Sequence, residues 1–88
     1  QCNILDKSDV IVYDEYIGTG YGEPTKAMIE ATKLLARKEA ILLDPVYSGK
    51  AFAGLIDLIK NKKFTKNDNI LFIHTGGAAS LSAYEWAF

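Results

Sequence analysis

Three polar, glycine-containing turns interrupt the sequence: DEYIGTGYG at 14–22, DPVYSGK at 44–50 and HTGG at 74–77. Each turn directly follows an apolar run rich in β-branched residues: VIVY at 10–13, ILL at 41–43 and ILFI at 70–73. An apolar run followed by a polar turn and a helical pattern is typical of a parallel α/β sheet. Ligands in such sheets bind beyond the carboxyl ends of the strands. Because all three turns follow predicted strand ends, we expect them to converge on one ligand.

The pattern between the turns predicts a β-α-β-α-β-α order, and right-handed crossovers would make its three strands parallel. The first strand is predicted at about 9–14 and the others at the two later apolar runs. A helix is predicted from Thr25 to Lys38, Ser48 is expected to cap a second helix, and a short third helix is predicted from about Ala78. The predicted apolar helix positions are Ala27, Met28, Ala31, Leu34, Leu35, then Ala51, Phe52, Leu55, Ile56, Ile59, then Leu81, Tyr84 and Phe88.

Size and charge set bounds on the class of protein. The chain has 88 residues, 49% of them hydrophobic, and a net charge of −1. It is long enough for one small domain or part of a larger one, so we treat residues 1–88 as one segment without an internal boundary. Scattered charges without a basic excess argue against a nucleic-acid partner. The sequence contains no run of 18 apolar residues, so we expect no membrane span.

The ends and the cysteine content give three further expectations. Cys2 is the only cysteine, so no disulfide within the chain is possible, which fits a cytoplasmic location. No signal peptide is recognisable. Because the sequence starts at Gln1 rather than Met, we interpret it as a piece of a longer protein, with a processed small protein as the alternative.

Taken one at a time, the chemically active side chains leave structural and functional roles open. Tyr47 and Tyr21 suit acid/base or ring-stacking roles, but a tyrosine at such a position also commonly joins core and surface. His74 could equally be a hydrogen-bonded structural histidine. Gly76 and Gly77, before a predicted helix, suit an anion but also simple packing. A single histidine and the lack of a CxxC pair argue against a metal site.

Read together, the three turns and the sequence between them resemble the C-terminal part of the D-cysteine desulfhydrase and 1-aminocyclopropane-1-carboxylate deaminase family. The resemblance runs from about Val10 to Tyr84 and includes the segments 30–43 and 54–57. These enzymes use pyridoxal 5'-phosphate and have the tryptophan-synthase-β fold type. The resemblance therefore implies that the predicted three-stranded segment belongs to a larger α/β domain.

The resemblance also implies roles for individual residues. Tyr47, in Pro-Val-Tyr, matches the acid/base tyrosine, and Tyr21, in Gly-Tyr-Gly, matches a tyrosine on the substrate side. Thr75 matches the threonine placed against the pyridine nitrogen, and Ser48 matches a residue near that nitrogen. Gly76 and Gly77 are assigned to the ring end of the cofactor, which replaces the anion site suggested by the turn alone.

In this family the Schiff-base lysine and the phosphate loop lie in an N-terminal part that this sequence lacks. Lys50, in Ser-Gly-Lys-Ala, is not the cofactor lysine. We therefore expect the 88-residue chain alone to be inactive. Its expected partners are the missing N-terminal part, a small amino-acid substrate and, for the full-length protein, a second copy in a homodimer.

The residue at position 48 separates the two activities of the family. The deaminases resemble Tyr-Glu where this chain has Tyr47-Ser48. A carboxylate near the pyridine nitrogen favours its protonated form and strengthens the electron sink. A serine leaves a weaker sink, which suits loss of hydrosulfide from a β-carbon better than opening of a cyclopropane. D-Cysteine β-elimination is therefore the preferred activity; the alternatives are a deaminase, another small amino-acid lyase or racemase, and a non-catalytic α/β module from a split or truncated gene.

Overall fold

The computed structural model describes residues 4–88, and helices make up its regular structure. A short 3₁₀ helix spans Lys7–Asp9, helix α1 spans Lys26–Glu39, helix α2 spans Ser48–Lys60, and a longer 3₁₀ helix spans Ala78–Ala87. Two of these, α1 and α2, pack against each other and carry the core. Long non-helical segments connect them and contain the turns at 14–22 and 74–77 and the first part of the turn at 44–50, whose last three residues begin α2.

The predicted three-stranded parallel sheet is wrong for this chain, since no residue between 4 and 88 is in a strand. A strand exists only through hydrogen bonds to a neighbouring strand. A β-branched composition shows only that side chains suit a pleated, half-buried surface. Most of the predicted strand residues instead face solvent: Val12 is 82% exposed and Leu71 is 85% exposed, whereas Leu43 is buried in the core. The apolar runs favour an extended, strand-like backbone, but no other segment within the described residues pairs with them.

Helix α1 confirms the predicted first helix to within one residue at each end. The Thr25 side chain accepts a hydrogen bond from the backbone N–H of Met28, at 3.1 Å, which caps the N-terminus. The helix ends at Ala40, whose left-handed conformation (φ 55°) stops the helical path. Of the predicted apolar stripe, Met28 and Ala31 are buried, whereas Leu34 is exposed.

Helix α2 buries its small residues and Lys50 rather than its large apolar residues. Gly49, Ala53 and Gly54 are buried, while the larger apolar residues on its predicted face are half-buried or exposed. A Cβ atom on Gly49 would lie 2.9 Å from Cγ of Met28 and 2.7 Å from the Asp44 carbonyl oxygen. The missing side chain therefore lets α1, α2 and the turn at 44–50 approach closely.

Three other expectations from the sequence concern the third helix, a membrane span and Cys2. The predicted third helix begins at Ala78 as expected but is a 3₁₀ helix without a buried residue. None of the helices in residues 4–88 has the length and apolar character needed to cross a membrane. Cys2 lies outside the described residues.

Candidate active site

The carboxylate of Asp44 holds the start of α2. It accepts hydrogen bonds from the backbone N–H groups of Val46 at 2.9 Å, Tyr47 at 2.7 Å and Ser48 at 2.7 Å. N–H groups at a helix N-terminus have no partner within the helix, so a carboxylate is a strong cap there. The prediction that Ser48 caps this helix is wrong, because Ser48 is its first residue and Asp44 supplies the capping oxygens.

Asp44 carries a negative charge in this position. Its burial by itself would raise the pKa of the carboxyl group. Hydrogen bonds from the Ser48 hydroxyl and from the three backbone N–H groups stabilise the charged form and outweigh that effect, so the pKa of Asp44 lies below its usual value. A buried carboxylate therefore sits directly beside the turn that carries Tyr47.

The Ser48 hydroxyl is buried and bonded to Asp44 in both directions. It donates to the Asp44 carboxylate and accepts from the Asp44 backbone N–H at 2.8 Å. The family resemblance implies a position for this hydroxyl near a pyridine nitrogen. In the structure its hydrogen is already directed to Asp44.

Tyr21 and Tyr47 form a phenol pair, although 26 residues separate them in the sequence. Their hydroxyl oxygens are 2.5 Å apart, and their rings meet edge to face with centroids 5.8 Å apart. Tyr21 is 76% exposed and Tyr47 is 61% exposed. The hydrogen bond with Tyr21 is the main cause that raises the pKa of Tyr47, with smaller contributions from desolvation and from the charges of Tyr21 and Asp44.

A cavity of about 690 Å³ opens beside this pair. Its wall is formed mainly by apolar side chains and aromatic rings from the first turn and from α2, including Tyr21, Val46, Tyr47, Lys50, Ala51 and Leu58. The hydroxyl groups of Tyr21 and Tyr47 are among the few polar groups of this mainly apolar wall, which also includes Lys50 and Tyr16. Such a combination is typical of a small-molecule site, where a few polar groups orient the ligand.

The turn at 74–77 lies against the turn at 44–50. The ring Nε2 of His74 is 2.7 Å from the carbonyl oxygen of Leu42, and the N–H of Gly76 donates to Nδ1 at 3.1 Å. Since Nδ1 accepts, Nε2 carries the ring hydrogen and donates it to Leu42. A Cβ atom on Gly77 would lie 2.9 Å from Cβ of Asp44, so Asp44 also contacts this turn. His74 therefore joins two backbone segments.

The space beside Gly76 is open. Gly76 has φ 97°, and a Cβ atom placed on it would meet no atom within 4 Å. The neighbouring Thr75 is exposed, and its hydroxyl makes no hydrogen bond within residues 4–88. This end of the site therefore offers an uncommitted hydroxyl and room for a ligand.

The structure thus brings the three turns together, although no sheet aligns them. Tyr21 and Tyr47 line the cavity, Ser48 is buried within the second turn, and Gly77 lies against Asp44, whereas Thr75 and Gly76 do not line the cavity. Sequence reasoning missed Asp44, although an Asp-Pro pair four residues before a helix is a recognisable capping signal. It also gave no structural role to Lys50, which nothing in the pattern separates from other lysines.

Two observations complete the account of the site. Within residues 4–88, no three histidine, cysteine, aspartate or glutamate side chains form a group that could hold a metal ion. A family model described as pyridoxal-phosphate dependent enzyme matches residues 3–76, which include the first two turns and the third turn up to Gly76.

Proposed function

This chain belongs to the family of pyridoxal-phosphate dependent enzymes, and on that premise we propose that it forms the C-terminal part of a lyase that converts D-cysteine to pyruvate, ammonia and hydrogen sulfide. The observation that carries the proposal is the Tyr21–Tyr47 phenol pair in an apolar cavity wall. Ser48 in place of a glutamate favours β-elimination within the family. The 88-residue chain by itself is proposed to be inactive.

The family binds pyridoxal phosphate, and the residues of this chain suit one end of that cofactor. A planar ring needs open space and a hydrogen-bond partner for its nitrogen, and the surroundings of Gly76 and the Thr75 hydroxyl provide both. We propose that Thr75 donates to the ring nitrogen and that Gly76 and Gly77 lie along the ring. Ser48, whose hydroxyl is hydrogen-bonded to Asp44, is proposed to be an uncharged neighbour of the ring. When bound, the cofactor supplies the electron sink that makes the α-proton of an amino acid acidic.

Tyr47 is proposed to act on the leaving sulfur. In a β-elimination a base takes the proton from Cα, a role for which the Schiff-base lysine of the N-terminal part is the candidate. The Cα–H electrons form a new Cα–Cβ double bond, and the sulfur leaves with the electron pair of the Cβ–S bond. A phenol with a raised pKa keeps its proton at neutral pH. Tyr47 is therefore suited to donate that proton to the departing sulfur as a general acid. Tyr21, within hydrogen-bond distance, orients the Tyr47 hydroxyl and faces the substrate.

Absence of a carboxylate at position 48 supports the choice of substrate. A hydroxyl at position 48 brings no charge to the ring nitrogen, and the nearby Asp44 carboxylate is already bound by Ser48 and by three backbone N–H groups. We therefore propose a neutral ring, which is a weaker electron sink. Loss of a stable hydrosulfide requires less of that sink than opening of a cyclopropane ring. The proposal therefore favours a substrate with a thiol leaving group on its β-carbon.

The test is a substrate comparison with the full-length protein. D-Cysteine, L-cysteine, D-serine and 1-aminocyclopropane-1-carboxylate are supplied separately, and hydrogen sulfide, pyruvate and 2-oxobutyrate are measured. The proposal predicts hydrogen sulfide and pyruvate in equal amounts from D-cysteine and little 2-oxobutyrate from the cyclopropane. Opening of the cyclopropane without release of sulfide from D-cysteine would contradict the argument from Ser48.

A further inference from the structure

We propose that Lys50 is a positioning residue that holds Tyr21 against Tyr47. Its ammonium group binds the backbone of the first turn, and Tyr21 stands at the end of that turn. The catalytic meaning of this inference rests on the proposed function, whereas the structural claim does not.

Lys50 lies in the first turn of α2 and reaches across to the loop at 16–22. Its Nζ donates to the carbonyl oxygen of Ile17 at 2.6 Å and to that of Gly20 at 3.1 Å. Gly20 directly precedes Tyr21, and Lys50 lies three residues after Tyr47. One side chain therefore connects the backbone next to one phenol with the helix that carries the other.

The burial of Lys50 indicates that these hydrogen bonds matter. Only 7% of the residue is exposed. Lysine is rarely buried to this extent, because an ammonium group removed from water needs strong hydrogen-bond partners. Hydrogen bonds from a charged donor are stronger than those between neutral groups. The two carbonyl groups supply such partners, so removing the ammonium group would release the loop.

The loop needs an external restraint. Residues Gly18, Gly20 and Gly22 lie within five positions, and glycine-rich backbone loses much conformational freedom when it is ordered. Gly18 and Gly22 adopt positive φ values of 79° and 73°. Local side-chain packing cannot hold such a segment. Contacts from outside the loop must hold it.

Two other contacts hold the ends of this loop and leave its centre to Lys50. The Tyr16 hydroxyl donates to the Asp57 carboxylate at 2.7 Å, and the Tyr84 hydroxyl donates to the Gly22 carbonyl at 2.9 Å. Among the side chains of residues 4–88, only that of Lys50 binds the carbonyls at 17 and 20 in between, and the Gly20 carbonyl also accepts the backbone N–H of Glu23. Loss of Lys50 should therefore free Tyr21 while the ends of the loop stay attached.

The test compares Lys50→Met, which keeps the aliphatic stem, with Lys63→Met, which removes the same charge from an exposed position. In NMR spectra of the 88-residue chain, cross-relaxation between the ring protons of Tyr21 and Tyr47 reports their contact. We expect at least a fivefold loss of this signal in Lys50→Met and no change in Lys63→Met. The amide of Glu23, which donates to the Gly20 carbonyl at 3.2 Å, should exchange roughly tenfold faster.

The methyl signal of Met28, buried between α1 and α2, checks that the fold is intact. If Lys50→Met does not fold, Lys50→Arg takes its place: it retains charge and donors and should retain the tyrosine contact. The proposal would be overturned if folded Lys50→Met kept the Tyr21–Tyr47 signal unchanged. It would also be overturned if folded Lys50→Arg lost that signal as Lys50→Met does.

The link to turnover is tested separately in the full-length protein by a double-mutant cycle. If Lys50 acts through Tyr21, Lys50→Met should lower kcat in the wild-type background and have little further effect in Tyr21→Phe. Additive losses would overturn the positioning role. Inactivity of the unmutated protein toward D-cysteine would instead contradict the proposed function and leave the NMR result to decide the structural claim.

Discussion

The hydroxyl group of Ser48 makes two hydrogen bonds with Asp44, one to its side chain and one with its main chain. Ser48 donates to the Asp44 carboxylate and accepts from the Asp44 N–H. The same carboxylate accepts hydrogen bonds from the backbone N–H groups of Val46 and Tyr47, which precede α2, and of Ser48, the first residue of α2. This pair fixes the backbone from which Tyr47 projects, so the stability of the site should depend on the charge of Asp44.

Asp44→Asn should destabilise the chain by about 1–3 kcal/mol, because an amide replaces a charged acceptor in a buried cap. The pKa of Asp44 is lowered in the folded chain, so its contribution to stability is fully present above the unfolded value, near ~3.9. That contribution is lost as the pH falls below this value through the folded pKa. Urea unfolding at pH 7 and at decreasing pH measures both effects. A variant with wild-type stability at pH 7 would contradict the capping role.

Comparing the stabilities of Gly77→Ala and Gly76→Ala distinguishes the effect of backbone strain from the effect of a contact with Asp44. Both glycines have a positive φ, 91° and 97°, so alanine is strained at either position. Only at Gly77 would the new Cβ also approach Asp44, at 2.9 Å. We expect Gly76→Ala to cost about 1 kcal/mol of unfolding free energy, and Gly77→Ala to cost more. Equal losses would show that the turn at 74–77 does not pack on Asp44.

Tyr16 should titrate unusually high. Its hydrogen bond to Asp57 is the main cause that raises its pKa to about 12, followed by desolvation and by the charges of Asp57 and Glu15. A raised tyrosine pKa contributes stability below the unfolded value of ~10, and this stability is lost as the pH rises toward 12. NMR titration of ¹³Cζ-labelled tyrosine measures it directly.

Two variants give that titration its controls. Asp57→Asn should return the pKa of Tyr16 most of the way to its ordinary value, and Glu15→Gln should lower it only slightly. A Tyr16 pKa that is unchanged in Asp57→Asn would show that the hydrogen bond at 2.7 Å does not form in solution.

Thr75→Val should weaken binding of pyridoxal phosphate to the full-length protein. Valine preserves the shape and removes the hydroxyl that we propose as the partner of the ring nitrogen. Loss of one such hydrogen bond costs about 1–3 kcal/mol, which is roughly a 5- to 150-fold loss of affinity. Thr75→Ser restores the hydroxyl and should restore most of the binding. Equal affinities of Thr75→Val and wild type would place Thr75 away from the ring.

The helices could be predicted from the sequence because their signals are local. The cap at Thr25 and the apolar spacing from Met28 onward locate α1 to within a residue. The sheet could not be predicted correctly, because strand pairing depends on partners that a β-branched run such as 70–73 does not itself specify. The sequence of such a run indicates a tendency to form a strand, but it does not indicate which segment would pair with that strand.

The same division applies to the site. Motif order pointed to Tyr21 and Tyr47, and the structure places their hydroxyls together. The connection through Lys50 depends on a side chain that crosses 33 residues of sequence to reach Ile17, and no periodicity marks such a contact. The capping role of Asp44, by contrast, was within reach of a closer reading of Asp-Pro before the helix.

The most direct test of the central claim is the rate of hydrogen sulfide release from D-cysteine by full-length Tyr47→Phe. The substitution keeps the ring and removes only the hydroxyl that we propose as the general acid. Such groups typically contribute about 10²–10⁴-fold to the rate, so turnover should fall by that factor while cofactor binding stays normal. Tyr21→Phe, which leaves the Tyr47 hydroxyl in place, should lose less. Wild-type turnover by Tyr47→Phe would contradict the proposed role and reduce Tyr47 to a packing residue.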